Sequence, residues 1–524
     1  MIKEYDAIVV GGGIAGLTSA AYLLKYGYKV LLCEKEENLG GLVGTFWESG
    51  FAFDWGIRAF ENSGILFPML KNLGIELEFI NNSVSIGLGK EWVTLDSMAS
   101  IDQYFQMLAR QFPDNHRDID LIAKEIKKVM GYMEVIYGID NPLFLENMND
   151  WEYLLKTLLP WLIKYQIKMH KAGKLTEPVD TYLRRFTSNQ ALIDVIIQHF
   201  FKKTPTFFAL SYFGLYLDYC YPLGGTGTLI KKMTEYVINH KGEIKTSTAI
   251  KEIDAMKHIV KTSHQEVYHY KKLIWAANQR SLYQGISGIH HKEFNKQKAL
   301  VSQSRGGDSI LTVYLATNLP KEYFANICGA HAFYTPVKDG ISSLQPWQEQ
   351  NKTTELIAWV KDYLATTTYE ISCPTLRDEN LSPKGKTSII ISTLFDYHLD
   401  LHFANIGESQ RLQETCISKI IEVLDHSIFP DWQQEILFTR CATPRTIENK
   451  TSNVDGAITG WSFTNPIMPS ENRFKKMTQS IKTPIKDVYQ CGQWSFSPAG
   501  MPVSILTGKL TADAVRKERK REKI

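Results

Sequence analysis

Three glycines and one acid are the first residues of the chain whose types and spacing could do chemistry. In "VVGGGIAGLTSA" (9–20), Gly11, Gly13 and Gly16 satisfy GxGxxG. Glu34 follows about 20 residues beyond the cluster, where an acid binds ribose hydroxyls and repels a 2′-phosphate. Gly11 permits a tight turn, Gly13 lets backbone approach a pyrophosphate, and Gly16 lets helix and strand pack closely. The chemistry on offer is the capture of a dinucleotide.

That capture needs a strand, a turn and a helix in that order. "DAIVV" (6–10) is a short β-branched run of the kind that forms a buried parallel strand. "IAGLTSAAYLLKYG" repeats apolar residues at helical spacing and reaches Gly27, a helix stop. "YKVLLCE" (28–34) returns as a second strand that closes on Glu34, and Lys35 next to it joins the candidate cofactor contacts. The helix start at Ile14 and Ala15 offers free N–H groups and partial positive charge to phosphates. The predicted fold is α/β, with a Rossmann-type dinucleotide domain.

The continuation narrows the cofactor. "EKEENLGGLVGTFWESGFAFDWGIRAF" places the pair Gly40–Gly41 and then "GFAFDWG" after the acid. Here the sequence resembles the FAD-dependent oxidoreductases that include phytoene desaturases, carotenoid isomerases, retinol saturases, protoporphyrinogen oxidases and flavin amine oxidases. It is most similar to the phytoene desaturase and carotenoid isomerase branch. "YPLGGTGTLIKKM" (221–233) looks like the loop and helix that stand close to the flavin in that superfamily. "HKGEIKTSTAIKEI" (240–253) reads as a strand pair, with Ile250 where the family contacts the adenine, and "KLIWAAN" (272–278) as the strand re-entering the dinucleotide domain.

Near the C-terminus, "ATPRTIENKTSNVDGAITGW" (442–461) and "DVYQCGQWSFSPAGMPVSILTGKLTADAV" (487–515) match further family segments. The resemblance puts Gly492 beside the pyrophosphate and ribityl chain. It aims a helix starting at Gly500, Met501 and Pro502 at the flavin's pyrimidine edge, where a helix N-terminus stabilises negative charge. It also implies contacts from Leu42, Gly56, Ile57 and Arg58. Leu42 stands where many members carry an arginine, so Arg58 is expected either to replace that cation or to face the substrate. Trp461 and Trp494, in flavin-proximal motifs, join Arg58 as candidates near the reaction, and Tyr314, Phe333 and Tyr334 could wall an apolar cavity. No general acid or base stands out.

These matches imply a discontinuous FAD-binding domain with an inserted α+β substrate domain. The expected pieces are 1–85, 216–300 and 441–524 for the cofactor, with 86–215 mainly helical and 301–440 a sheet lining the active-site cavity. The implied function is flavin-dependent desaturation, saturation or isomerisation of a carotenoid, retinoid or other apolar isoprenoid. An oxidase of amines or porphyrinogens using oxygen is the alternative, and a scaffold that merely holds FAD is the non-enzymatic one.

Bulk composition excludes other classes. Lys plus Arg number 59 against 56 Asp plus Glu, so nothing points to nucleic acid as a partner. Seven scattered cysteines without CxxC read as reduced thiols in a cytoplasmic protein. There is no HExxH and no metal site is expected, no GxSxG, and no GK[ST] after "GGTGTL". No second GxGxxG unit appears, so a dedicated NAD(P)H domain is not expected. No apolar run reaches the roughly 18 to 20 residues that span a bilayer. "YLLKTLLPWLIKYQIKMHKAGK" (153–174) is apolar and basic together, which suits a helix resting on the inner face of a membrane; ordinary packing with its lysines in water is the commoner outcome.

Overall fold

A computed structural model describes residues 3–137, 139–145, 152 and 154–522. Two sheets and a helical layer account for the site. The first sheet runs in the order Glu243–Lys245, Val30–Cys33, Lys3–Val10, Val267–Trp275, Ile259–Thr262, Ile250–Asp254, Ile286–Ser287, with Val488–Gln490 also paired to Val267–Trp275. Lys3–Val10 lies parallel to both neighbours, with Val10 opposite Cys33 and Trp275, and Trp275 opposite Gln490. With Glu243–Lys245 also parallel to Val30–Cys33, the carboxyl ends of five parallel strands meet at one edge, where open α/β sheets bind their ligands.

The helix Ile14–Lys25 is buried along nearly its whole length because it is sandwiched. It packs between Met501–Glu522 on one side and Gly227–Asn239 on the other, through Leu17, Ala20, Ala21, Met233 and Ile505. Small residues dominate its contact faces, which lets three helices approach the sheet together. Gly27 follows its C-cap with φ of 76°, as the sequence predicted for its stop.

The second sheet runs Ile436–Ala442, Ser309–Thr317, Thr387–Phe395, Tyr369–Ser372, His331–Thr335, Val84–Leu88, Glu91–Leu95. Its strands read apolar on one face at every second residue: Leu311, Val313, Ala332, Ile371, Ile389 and Ile391 enter a core beneath helices Thr353–Thr366 and Ser409–Ser427. Of the intervening residues, Ile310, His331, Phe333, Glu370 and Ser392 line the cavity described below. Glu91–Leu95 falls inside 86–215, the stretch read as mainly helical, and the boundary expected at 85 cuts Val84–Leu88. "VSIGLGKEWVTL" is too short a hairpin, turning at Gly89 with φ of 59°, to show against the helical spacing that follows it.

Helices Met98–Gln111, His116–Tyr137, Gln190–Ile197 and Thr206–Leu215 form the layer over that sheet, with Ile101, Leu108, Ile122, Ile126, Leu210 and Phe213 at its centre. The two strands of 240–253 do not pair with each other. Glu243–Lys245 extends the first sheet beside Val30–Cys33, and Ile250–Asp254 pairs with Ile259–Thr262. All seven cysteines are unpaired thiols, six of them buried. Among the described residues no helix is long and apolar enough to cross a membrane.

Candidate active site

One cavity of about 540 Å³ runs from the strand ends of the first sheet to the cavity face of the second. Its first half is built from backbone. Gly11 has φ of 104°, and a Cβ there would lie 2.8 Å from the Ala276 carbonyl oxygen, so only glycine makes this turn. A Cβ on Gly16 would lie 1.9 Å from the Gly11 oxygen, which is why helix and strand touch here. Gly13 is different: a Cβ would meet nothing closer than 3.9 Å. Its missing side chain leaves room for a ligand against the helix start. The Glu34 carboxylate accepts from the Gly12 N–H at 2.6 Å and the Glu36 N–H at 3.0 Å, and each oxygen keeps a further lone pair for a hydroxyl.

The expected cofactor contacts gather on this wall. Gly11, Gly13, Ile14, Ala15, Glu34 and Lys35 line the cavity; so do Gly40, Gly41 and Leu42, then Gly56, Ile57 and Arg58, and, from distant segments, Ile250, Gly492, Gly500 and Met501. A Cβ on Gly500 would meet only Pro502, at 3.9 Å, so this helix start is open as Gly13 is. Two expected residues lie off the wall. Gly16 sits behind the turn it makes possible, and Pro502 lines a smaller neighbouring cavity.

Three further positions differ from the sequence reading. Trp494 lines the cavity, whereas Trp461 stands behind it, its indole N–H donating to the Trp494 carbonyl at 3.1 Å. Tyr334 points into the opposite core and stacks on Trp92, since its neighbour Phe333 takes the cavity face of the strand. Tyr314 has the cavity parity, but Phe46 and Phe53 of the hairpin Thr45–Glu48 and Phe51–Asp54 cover it.

Arg58 is buried, at 2% exposure. Its Nη1 donates to the carbonyls of Asp54 and Gly56, and its Nη2 to the Ser392 hydroxyl at 3.1 Å on the second sheet. Lys35 is engaged with Glu36 and the Asn449 carbonyl. Lys450 lines the cofactor half with its Nζ 3.9 Å from the centre of the Trp55 ring, whose indole N–H donates to the Gly41 carbonyl.

The second half of the cavity is walled by rings: Phe200, Phe208, Tyr212, Tyr216, Tyr219 and Phe333. Phe208 and Tyr212 stand on successive turns of Thr206–Leu215 and Tyr216 caps its C-terminal end, so this one element supplies half the wall. Among these rings stand four ionisable groups that the sequence reading did not single out. Burial raises the Glu61 carboxyl to about 7 and lowers His199 to about 4. His331 and Glu370 belong to a chain of oriented hydrogen bonds. Arg377 Nε donates to Asn82 Oδ1 at 2.7 Å, which fixes the amide, so Asn82 Nδ2 donates to His331 Nδ1 at 3.1 Å. His331 then carries its proton on Nε2 and donates to Glu370 Oε1 at 3.0 Å. Burial lowers His331, which is neutral in this tautomer. Burial alone would raise Glu370, but the bond from His331 and the charges of Arg58 and Arg377 outweigh it, so the carboxylate is ionised. The Glu370 side chain is 29% accessible, and it opens into the cavity.

The signals for these four were faint: single polar residues in apolar runs, "AFE", "IIQHFF", "HAFY" and "YEIS". Such residues can be told from solvated ones only once the second sheet's facing is known.

A smaller cavity of about 160 Å³ adjoins the first. Glu61, Phe208, Tyr212, Ala499 and Gly500 line both, so the two meet at a shared neck. Its outer wall includes Trp161 and Tyr165 of the helix Leu159–Ala172. That helix exposes Leu159, Leu162, Ile163 and Ile167 on its outer side.

Comparison with known proteins gives this geometry a context. The sequence profile described as flavin containing amine oxidoreductase matches residues 14–516. The chain is 23% identical to an inactive all-trans-retinol 13,14-reductase of Danio rerio, covering 97% of this chain and 85% of that one. It is 22% identical to a chloroplastic prolycopene isomerase of Daucus carota, covering 85% and 70%. Among solved structures, an oxidoreductase of Methanosarcina mazei superposes with a TM-score of 0.61 at 14% identity, covering 98% of this chain and 99% of that one. A putrescine oxidase mutant does so at 0.60 and 12% identity, with the same coverage.

Proposed function

The chain belongs to the family of flavin containing amine oxidoreductases, its cofactor is FAD, and we propose that it transforms an apolar, unsaturated isoprenoid such as a carotenoid or retinoid by desaturation, saturation or cis–trans isomerisation. The observation that carries this reading is the ring-walled half of the cavity, continued through a neck toward an exposed apolar helix. A polyene is long, flat and apolar, and stacking on aromatic walls with water excluded is what would hold it.

The residues present fit FAD. The Gly11 turn, the open space at Gly13 and the N–H groups of Ile14 and Ala15 would take the pyrophosphate. Glu34 would bind the ribose, Ile250 the adenine, Gly492 the pyrophosphate and ribityl chain, and Gly500 and Met501 the flavin end. Lys450, rather than Arg58, stands where it can supply the cation that Leu42 does not. Bound FAD supplies two-electron hydride exchange at its N5. The chain's own part is to orient the substrate in the ring-walled half, to keep water out, and to hold charge near the flavin with the Met501–Glu522 helix start.

Access to the neck passes the helix Leu159–Ala172, the described bulk of the 153–174 segment; Tyr153 lies outside the described residues. Leu155, Leu159, Ile163 and Ile167 repeat every four residues and are 50 to 59% exposed, with Lys156 and Lys164 beside them. This face supports docking on a membrane surface, from which an apolar substrate would enter.

One observation favours the second reading, an amine oxidase: the Glu370 carboxylate among aromatic rings would attract an ammonium. Arg58 and Arg377 already balance that charge. The readings separate by titrating the FAD-loaded protein with a polyene and with a primary amine of equal size. The proposal expects the polyene to shift the bound flavin's visible spectrum at micromolar concentration and the amine to leave it unchanged; the reverse pattern would replace it.

A further inference from the structure

Around Phe333, in the ring-walled half, polar groups stand without partners. The Phe333 ring centre lies 5.4 Å from Tyr216, 5.2 Å from His199 and 5.6 Å from His331. Tyr216 is 1% exposed, yet its hydroxyl has no hydrogen-bond partner, and His199 Nε2 has none either. The Glu370 carboxylate opens into the same space, with only Oε1 engaged by His331. Buried polar groups left unpaired destabilise a fold, so they are retained where a ligand completes them. A chamber meant only for hydrocarbon would carry phenylalanine and leucine at these places.

We propose that this end of the chamber is a hydroxyl seat, which holds the alcohol terminus of an otherwise apolar isoprenoid. The inference rests on the isoprenoid reading above and narrows it. An alcohol is the neutral group that both donates and accepts: its O–H points to the Glu370 carboxylate, and its oxygen accepts from the Tyr216 hydroxyl. His199, neutral at physiological pH, offers Nε2 as a third contact. A carboxylate terminus would meet the charge of Glu370. A carbonyl cannot donate to it. An ammonium gains little, because the guanidinium groups of Arg58 and Arg377 already act on Glu370. A hydrocarbon would leave all three groups unpaired.

The test uses FAD-loaded protein and four probes of one length: geranylgeraniol, the hydrocarbon lacking its hydroxyl, geranylgeranoic acid and geranylgeranylamine. Dissociation constants are read from tryptophan quenching and from the flavin spectrum, so turnover is not required. The alcohol is expected to bind about tenfold more tightly than the hydrocarbon, with the acid weaker still. Tyr216→Phe and Glu370→Gln should each bring that preference to within about threefold while the FAD content and the hydrocarbon's affinity stay unchanged. Tyr216→Phe keeps the ring, so it separates the hydroxyl from the packing. Equal binding of alcohol and hydrocarbon would overturn the seat and leave the isoprenoid reading standing. Failure of all four probes to bind would overturn both. Tightest binding by the amine would overturn the seat in favour of the oxidase reading.

Discussion

The two halves of the cavity are built on opposite plans. The cofactor half is made of backbone: turns without side chains, helix starts and strand ends, with Glu34 as the chief side chain. The substrate half is made of side chains from five separate segments, around residues 61, 199–219, 331–333, 370 and 392–394. A backbone cradle fits a ligand whose shape never varies, such as FAD. A side-chain chamber can be re-lined by substitution without moving a strand, so substrate choice can drift while the cofactor stays.

The comparison predicts that damage to one half leaves the other in place. The largest effect is expected at the turn. In Gly16→Val a Cβ must displace the Gly11 carbonyl, only 1.9 Å away. FAD affinity should fall at least ~100-fold, on the order of 3 kcal/mol, with the far-ultraviolet circular dichroism preserved. Visible absorbance per protein after desalting measures it. A yellow Gly16→Val protein with wild-type FAD affinity would break the division.

The next effect lies at the neck. Burial holds the Glu61 carboxyl up at about 7, so it is neutral below that pH and charged above it. Its folded-state value is above the unfolded one, so this group's contribution to stability is full in acid and is lost as pH rises through about 7. A charge appearing in the neck should also weaken binding of an apolar ligand, by about tenfold between about pH 6 and 8. Glu61→Gln should flatten both the affinity profile and the slope of Tm against pH without changing FAD content. A wild-type profile that is already flat would remove Glu61 from the passage.

A smaller change is expected outside the chamber. Ile163→Asp with Ile167→Asp should reduce sedimentation with anionic lipid vesicles several-fold while leaving FAD and dissolved-ligand binding untouched. Unchanged sedimentation would return this helix to ordinary surface. The smallest effect belongs to Lys450→Ala. A half-exposed cation beside a phosphate site should cost FAD affinity only about two- to fivefold, and less at high salt, when measured by fluorescence titration.

The same contrast explains what was legible in the sequence. The cradle could be read because its rules are local: Gly11, Gly13, Gly16 and Glu34 carry fixed spacings, and Gly40–Gly41 and the Met501–Pro502 helix start follow recognisable runs. The chamber could not be read in this way. Glu61, His199, His331 and Glu370 are single polar residues whose meaning depends on which face of a strand or helix they occupy, and on what lies across the cavity. Tyr334 and Trp461 failed for the same reason. Each lies one residue or one layer from a true wall residue, Phe333 or Trp494. Arg58 lines the cavity, but its Nη1 bonds to Asp54 and Gly56 and its Nη2 bond to Ser392 make it a strut between hairpin and sheet that spacing alone does not convey.

The central claim is that the chamber over the cradle works on polyenes. Its most direct test is anaerobic incubation of the FAD-loaded protein, once with the flavin oxidised and once with it reduced by dithionite, with an isoprenoid polyene and separately with a primary amine. Chromatography then follows the polyene, and visible absorbance follows the flavin. The account predicts that the polyene is desaturated, saturated or isomerised in one of the two redox states, and that the amine leaves the oxidised flavin unreduced. An unaltered polyene in both states, together with bleaching of the oxidised flavin by the amine, would contradict it.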